Sequence, residues 1–338
     1  MSNSKVFVGI DYHLKKIQVC VVNSEGLVLK NSSIDNEMSA LLPVLARYGP
    51  VGGIAIESCS GAAALADELV TKHDFVVDLA HPGFVSRMRL NPDKTDYSDA
   101  RILADLERVG YLPSVWLAPH EVKEMRRLVR YRQQLVNERR NSKLRIRAML
   151  RDQRIKSPRV LRPWTIDWMM WLERIAVKEL SEEGGWIVQQ LNTRLSALRV
   201  EIRETEQRLA ERTETDTLVQ TLKKIDGIGP VTAWTLRAEV GRFDRFRSGK
   251  QLARFCGLSP RNASSGERQA DAGLIRAANG QLRAALIEAA HRLMRHNPKW
   301  REFADRLLAK SKPYCLVAAA VGNRWIRSLY HEMKGVAA

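Results

Sequence analysis

Apolar positions change period along this chain. Val6–Tyr12, Ile17–Asn23 and Leu27–Ile34 are short runs rich in β-branched residues, and each predicts a strand. The gaps between them allow only tight connections, so the three pair as antiparallel hairpins, with Glu25-Gly26 in the second turn. A helical pattern over Glu37–Tyr48 follows, then an apolar strand over Gly53–Glu57, a helix over Ala62–Lys72 and a strand over Phe75–Leu79. A helix from about Ser98 to Val109 comes next, after a loop holding Asn91-Pro92-Asp93. Residues 121–151 predict one long helix in which Leu128, Leu135 and Met149 keep a seven-residue spacing that Ser142 interrupts. Over 187–209, Leu191, Leu195, Leu198, Ile202, Thr205 and Leu209 alternate by four and three. That is a coiled-coil seam, suited equally to a helical hairpin or to a dimer. From about Thr217 the pattern is mostly helical.

Three antiparallel strands followed by alternating helix and strand is the order of a ribonuclease H-like fold. The expected class is therefore multidomain α/β plus α. A ribonuclease H-like domain covers 1–120, a basic helix and coiled-coil segment 121–215, and a mostly helical domain 216–338. Four acids fall where such a fold would use them. Asp11 ends the first strand, Glu57 ends the fourth, and Asp96 and Asp99 stand at the start of the last helix, three apart and so on one face.

Charge sharpens the picture. The chain of 338 residues carries a net +17, unevenly spread. Residues 121–159 hold 14 basic and 4 acidic side chains, and 216–338 hold 22 and 10, whereas 1–120 and 160–215 are slightly acidic. Such concentration predicts nucleic-acid contact, with Arg126, Arg127, Arg130, Arg139, Arg140, Lys143 and Arg147 on the long helix as candidates. No apolar run is long enough to span a bilayer, and the N-terminus lacks a secretory pattern. The four scattered cysteines form neither a metal pair nor a disulfide framework, so a reducing, cytoplasmic setting is expected.

The acids suit Mg²⁺ or Mn²⁺, which take hard oxygen ligands, and paired ions of this kind support in-line attack at phosphorus. His13 would share the face of Asp11 on a strand, but it reads as a surface histidine and is left out of the site. Pro163–Trp171 packs three tryptophans into nine residues, a stripe that reads first as core and second as a stacking surface for unpaired bases. Lys223 and Lys224 precede Gly227-Ile-Gly229 and a helix start, the pattern of a helix-hairpin-helix whose backbone N–H groups meet phosphate. Phe255–Gly266 reads as a polar loop in which Arg261 and, beyond it, Arg268 flank Ser264 and Ser265; from chemistry alone it is mostly a turn.

Gly9-Ile-Asp11, Lys94-Thr-Asp-Tyr-Ser-Asp-Ala-Arg101, Ile228-Gly-Pro, Gly257-Leu-Ser-Pro-Arg261 and Ser265-Gly266 together resemble the transposases of the insertion sequence one-ten family, relatives of Piv-type DNA invertases. The resemblance spans nearly the whole chain. It implies a RuvC-like domain, a coiled coil and a C-terminal transposase domain. It places the family's acidic tetrad on Asp11, Glu57, Asp96 and Asp99, and its serine nucleophile on Ser265, with Ser264 adjacent. It further implies a covalent phosphoserine link to DNA, divalent metal, a structured bridge RNA pairing with target and donor DNA, and homodimers assembling into a tetramer on the nucleoid. After Glu57 the chain reads Ser-Cys-Ser-Gly, where many members carry Ala/Ser-Thr-Gly. The runner-up is a hydrolytic, junction-resolving nuclease in which the serine is incidental; a third reading is a non-catalytic nucleic-acid scaffold.

Overall fold

The computed structural model describes residues 5–88, 95–262, 271–275 and 278–336. It divides into two compact units, Met1–Ala118 and Pro119–Ala338.

The first unit opens with a meander of β1 (Val6–Tyr12), β2 (Lys16–Val22) and β3 (Val28–Asp35). It continues through α1 (Met38–Arg47), β4 (Val51–Glu57), α2 (Ala62–His73), β5 (Val77–Ala80) and α3 (Pro82–Val85) with a 3₁₀ turn at Ser86–Met88. It closes with α4 (Asp96–Arg108) and β6 (Ser114–Val115). The sheet is mixed, six strands in the order β3-β2-β1-β4-β5-β6. Strands β1, β4 and β5 are mutually parallel and the other pairings antiparallel. This order is consistent with the ribonuclease H-like expectation. Both faces are covered. Val19 and Val21 pack with Leu41, Leu45, Ala66 and Leu69 of α1 and α2, while Cys20 and Val22 pack with Ala100 and Ala104 of α4. That two-sided burial is why the central strands read as apolar runs rather than as alternation. It also pushes the Cys20 thiol up to about 12, chiefly by desolvation.

Observed boundaries differ from the expected ones by a few residues at most. The last helix of this unit starts at Asp96 rather than near Ser98 because Thr95 caps it: its Oγ1 accepts from the Ser98 amide at 3.2 Å, and Ser98 Oγ accepts from the Thr95 amide at 3.3 Å.

The second unit runs α5 (His120–Asp152), α6 (Ile166–Lys178), α7 (Glu182–Arg212), α8 (Thr217–Lys223), α9 (Pro230–Val240), α10 (Gly249–Phe255), β7 (Pro260–Asn262), β8 (Asp271–Leu274), α11 (Gly280–His296), α12 (Pro298–Leu308) and α13 (Tyr314–Met333). Helices α5 and α7 pack along one another through Leu135, Leu198 and Ile202. Ser142, the interruption in the seven-residue series, is itself buried, while Leu128 and Met149 are only half-buried. Trp168 and Trp171 are core residues of the α5–α6–α7 cluster, as the first reading of the tryptophan stripe expects. Met125 and Val129 of α5 instead join the core of α8–α13, so one long helix serves both clusters. The β7–β8 ribbon was not foreseen: Pro260–Asn262 falls inside the stretch read as loop, and strands of three and four residues show too few positions for alternation to register. Among the described residues no helix is long and apolar enough to cross a membrane.

Candidate functional site

The register of β1 and β4 sets up the site. Ile10 pairs with Ile56 across parallel strands, so Asp11 and Glu57 emerge side by side at the carboxyl ends of adjacent strands. Helix α4 lies against this sheet at a glycine. A Cβ at Gly9 would fall on the Ala100 carbonyl oxygen and the Ala104 amide, so only glycine lets the helix approach so closely. Asp11 is two residues beyond Gly9 and therefore on the face that α4 covers. The first turn of α4 carries Asp96 and Asp99, whose charges suit the positive end of the helix. Its entry is tied to the sheet, because Asn31 Nδ2 donates to the Tyr97 carbonyl at 2.9 Å while Asn31 Oδ1 accepts from Gln18 Nε2 at 2.7 Å.

The resulting group is not quite the one read from the sequence. Among the described residues, Asp11, His13 and Asp96 place their ligating atoms within 4.8 Å of one another. His13 Nε2 stands 3.4 Å from Asp11 Oδ2 and 3.5 Å from Asp96 Oδ1, so it bridges the two carboxylates. His13 is exposed, as its reading as a surface histidine expects, yet its imidazole reaches both carboxylates. The signal was present, two residues from Asp11, but only the fold of α4 onto β1 brings Asp96 to the same imidazole. Asp11 is 8% exposed and Asp99 1%, whereas Asp96 is open to solvent. Glu57, half-buried, and Asp99 border the cluster by strand register and helical turn without joining the three-atom set. Two carboxylates and one imidazole make a donor set of hard oxygens with one nitrogen, which fits a divalent ion such as Mn²⁺ or Mg²⁺ and does not match a thiolate zinc site. Cys59, nearby, is held protonated: partial burial raises its pKa first, and Glu57 and Asp11 raise it further.

The basic helix α5 splits into two zones by what its arginines contact. Near its start, Arg130 donates from Nε and Nη2 to the two oxygens of Glu239 at 2.9 and 3.0 Å, Arg126 Nε donates to the Ala238 carbonyl at 3.0 Å, and Arg127 pairs with Glu124. Glu239 is only 4% exposed, so these contacts fasten α5 to α9. Farther along, Arg139, Lys143 and Arg147 gather with Arg199 of α7 around Trp164. Lys143 Nζ lies 4.8 Å and Arg147 Cζ 5.4 Å from the ring centre, and Arg199 Nη2 donates to the Trp164 carbonyl at 3.4 Å. Desolvation and then Arg139, Arg199 and Arg147 lower the Lys143 pKa. Trp164 holds a left-handed backbone, φ 70°, which costs a bulky residue energy. These cations and Trp168, at 4.5 Å, contact its ring, which gathers positive charge at this point. Arg140 is exposed beside this cluster.

In the second unit, Lys223 and the exposed Lys224 lead into a turn where Gly227 has φ 82° and Gly229 caps α9, with Pro230 in its first turn. Arg292 Nη2 donates to the Gly227 carbonyl at 2.9 Å and Asn297 Nδ2 to Asp226 Oδ2 at 2.9 Å, which fixes this turn against α11 and α12. Arg261 is exposed on β7. Ser264, Ser265 and Arg268 lie outside the described residues.

Comparison with known proteins finds relatives along most of the chain. Residues 8–154, which include all four acids, match a DEDD-type IS110 transposase model, and residues 219–305 match the model described as Transposase IS116/IS110/IS902 family. A probable family 20 transposase of Pseudomonas aeruginosa is 29% identical over 82% of this chain and 82% of its own. The transposase for insertion sequence element IS1111A of Coxiella burnetii is 25% identical over 86% and 78%. The transposase for IS1328 of Yersinia enterocolitica is 27% identical over 81% of each. With a carboxylate cluster on a mixed sheet, a basic helix and two family models matching residues 8–154 and 219–305, this chain belongs to the IS110 family of transposases.

Proposed function

We propose that this transposase cuts and rejoins DNA through a covalent phosphoserine intermediate formed on Ser265, with the acidic cluster of the first unit assisting. The meeting of Asp11, His13 and Asp96 beside Glu57 and Asp99, in a transposase, is the observation that carries the reading. The Ser265 hydroxyl gives up its proton and attacks a DNA phosphorus. The new Oγ–P bond replaces the bond to the 3′ oxygen, which leaves as a free 3′ hydroxyl. Reversal by the 3′ end of the exchanged strand restores the phosphodiester and the serine. Asp11, His13 and Asp96, with Glu57 and Asp99 adjoining, would hold a Mg²⁺ or Mn²⁺ ion, which when bound neutralises charge on the phosphate oxygens. Arg261 and Arg268, flanking the serine, are suited to orient that phosphate.

The same reading assigns the Arg139–Lys143–Arg147 surface of α5 to the backbone of a structured guide RNA that pairs with target and donor DNA. The Lys223–Gly229 turn is read as a helix-hairpin-helix contacting DNA phosphate. The α5–α7 pair is read as a coiled-coil segment, 121–215, between a RuvC-like domain, 1–120, and a C-terminal transposase domain, 216–338. Homodimers that pair into a tetramer on DNA would let the serine of one protomer work with the acids of another. The setting would be cytoplasmic, on the nucleoid.

Trapping protein on cleaved DNA tests the nucleophile. The expected adduct forms with wild type and Ser264→Ala and disappears with Ser265→Ala. Metal-dependent cleavage that survives Ser265→Ala without an adduct would favour a hydrolytic nuclease, and binding without cleavage under either metal would favour a scaffold.

A further inference from the structure

The face of α13 that turns away from the core carries Leu316, Ala320, Arg324, Arg327 and His331, spaced by three and four along one stripe. With Leu258 and the β7–β8 ribbon this stripe encloses a cleft of about 930 Å³. Its floor is apolar, formed by Leu258, Leu274, Leu316 and Ala320, and its wall carries Arg324 and Arg327, with His331 beside them. A second cleft of about 450 Å³ adjoins it through the shared Phe303, Arg324 and Ser328, and adds Lys299, Arg306 and Lys310. Two guanidinium groups approach the Phe303 ring, Arg324 Cζ at 5.0 Å and Arg306 Cζ at 5.9 Å from its centre. Among the described residues neither cleft is lined by a carboxylate, and none of these five lysines and arginines forms an ion pair.

Five like charges gathered with no counter-charge among the described residues favour a polyanion. An apolar floor of this size within the cationic wall narrows the choice further. A paired base hides its face in the duplex stack, whereas an unpaired base presents an apolar ring flanked by two phosphates. The volume lies in the range of small-ligand sites. Strands β7 and β8, which form one side of the cleft, bracket residues 263–270 in sequence, Ser265 among them.

We propose that this groove holds an unpaired segment of the DNA substrate, with one base against Leu274 and Ala320 and its flanking phosphates on Arg324, Arg327 and the Lys299–Arg306–Lys310 wall. The inference rests on the DNA-cutting reading and adds to it a track for a single strand beside strands β7 and β8.

The test is fluorescence anisotropy of the full chain with labelled oligothymidylate and with a hairpin duplex, in EDTA so that no cutting intervenes. Arg324→Ala with Arg327→Ala removes two phosphate contacts from exposed positions. At about 0.7 per contact for single strands, the salt slope should fall by about 1.4, and affinity near 0.1 M salt by about 25-fold. Ala320→Phe fills the floor and should weaken oligothymidylate by about tenfold with the slope unchanged. Hairpin binding should stay within about twofold for both variants. The proposal is overturned if the double variant binds oligothymidylate like wild type, or if both ligands weaken equally. It is also overturned if Ala320→Phe changes the sedimenting mass while sparing single-strand binding, which would make the cleft an interface between copies. Because the readout needs no serine chemistry, it is separable from the adduct experiment: loss of either result leaves the other standing.

Discussion

Gly9→Ala is the sharpest probe of how the acids are brought together. The added methyl would coincide with the Ala100 carbonyl oxygen and the Ala104 amide and lie 3.0 Å from Leu103 Cβ. These obstacles are largely the backbone of α4, which cannot rotate aside as a side chain can. The helix must lift from β1 by about an ångström, losing the packing of the buried Ala100, Leu103 and Ala104. Overpacking of a core costs about 1–3 kcal/mol, and a backbone obstacle belongs at the upper end of that range. For a unit of about 120 residues, about 3 kcal/mol lowers the midpoint by roughly 10 °C or more. Lifting α4 also carries Asp96 away from Asp11 and His13, and a misplacement of about 1 Å in a catalytic constellation costs on the order of 100-fold in rate. Calorimetry of the full chain would follow the transition of the first unit, with Mn²⁺ binding measured on the same samples. Gly280→Ala is the control: its Cβ meets nothing within 4 Å, so its effect should stay within about 0.5 kcal/mol. An unchanged first-unit transition and unchanged Mn²⁺ affinity in Gly9→Ala would refute the claim that this contact assembles the site.

Four further outcomes are expected. Glu107, whose pKa burial and then Asp78 raise from 4.5 to about 6, is uncharged in both states below pH 4.5. Its ionisation destabilises the fold as pH rises through about 6, so Glu107→Gln should stabilise the first unit by under about 1 kcal/mol at pH 7.5 and not at pH 4, as calorimetry at both values would read. Glu239→Ala strands two arginines, but Arg130 is half-exposed and rehydrates, so about 2–3 kcal/mol should be lost from the second unit, measured as a urea midpoint by tryptophan fluorescence; Trp116 is the one tryptophan outside that unit. His13→Ala should weaken Mn²⁺ binding several-fold and Mg²⁺ less, since imidazole suits the softer ion; equal effects by calorimetric titration would remove His13 from the ligand set. Neutralising Arg139, Arg140 and Lys143 together should flatten the salt dependence of binding to a structured, double-helical RNA by about 2.7, at about 0.9 per contact, and an unchanged slope would mean this face of α5 meets no RNA phosphate.

Local pattern was enough for most of the fold. The β1–β3 meander, the alternation that follows and the two long helices are written in residue periodicity, because burial on one face or two selects side chains at fixed intervals. The ends of those elements placed Asp11, Glu57, Asp96 and Asp99 as candidates, and the charge count placed nucleic acid among the partners. What the sequence could not supply was proximity between positions far apart in the chain. Helix α4 docks on β1 through Gly9, more than eighty residues away, and only then does His13 touch both Asp11 and Asp96. Glu239 claims Arg126 and Arg130 from the basic helix, so a run of like charges becomes part fastening and part surface. The short β7–β8 ribbon and the cleft against α13 depend on backbone pairing and on packing of helices distant in sequence, neither of which has a local period. Composition and spacing settle which side chains exist and which face they share within one element; close packing between elements settles which of them meet.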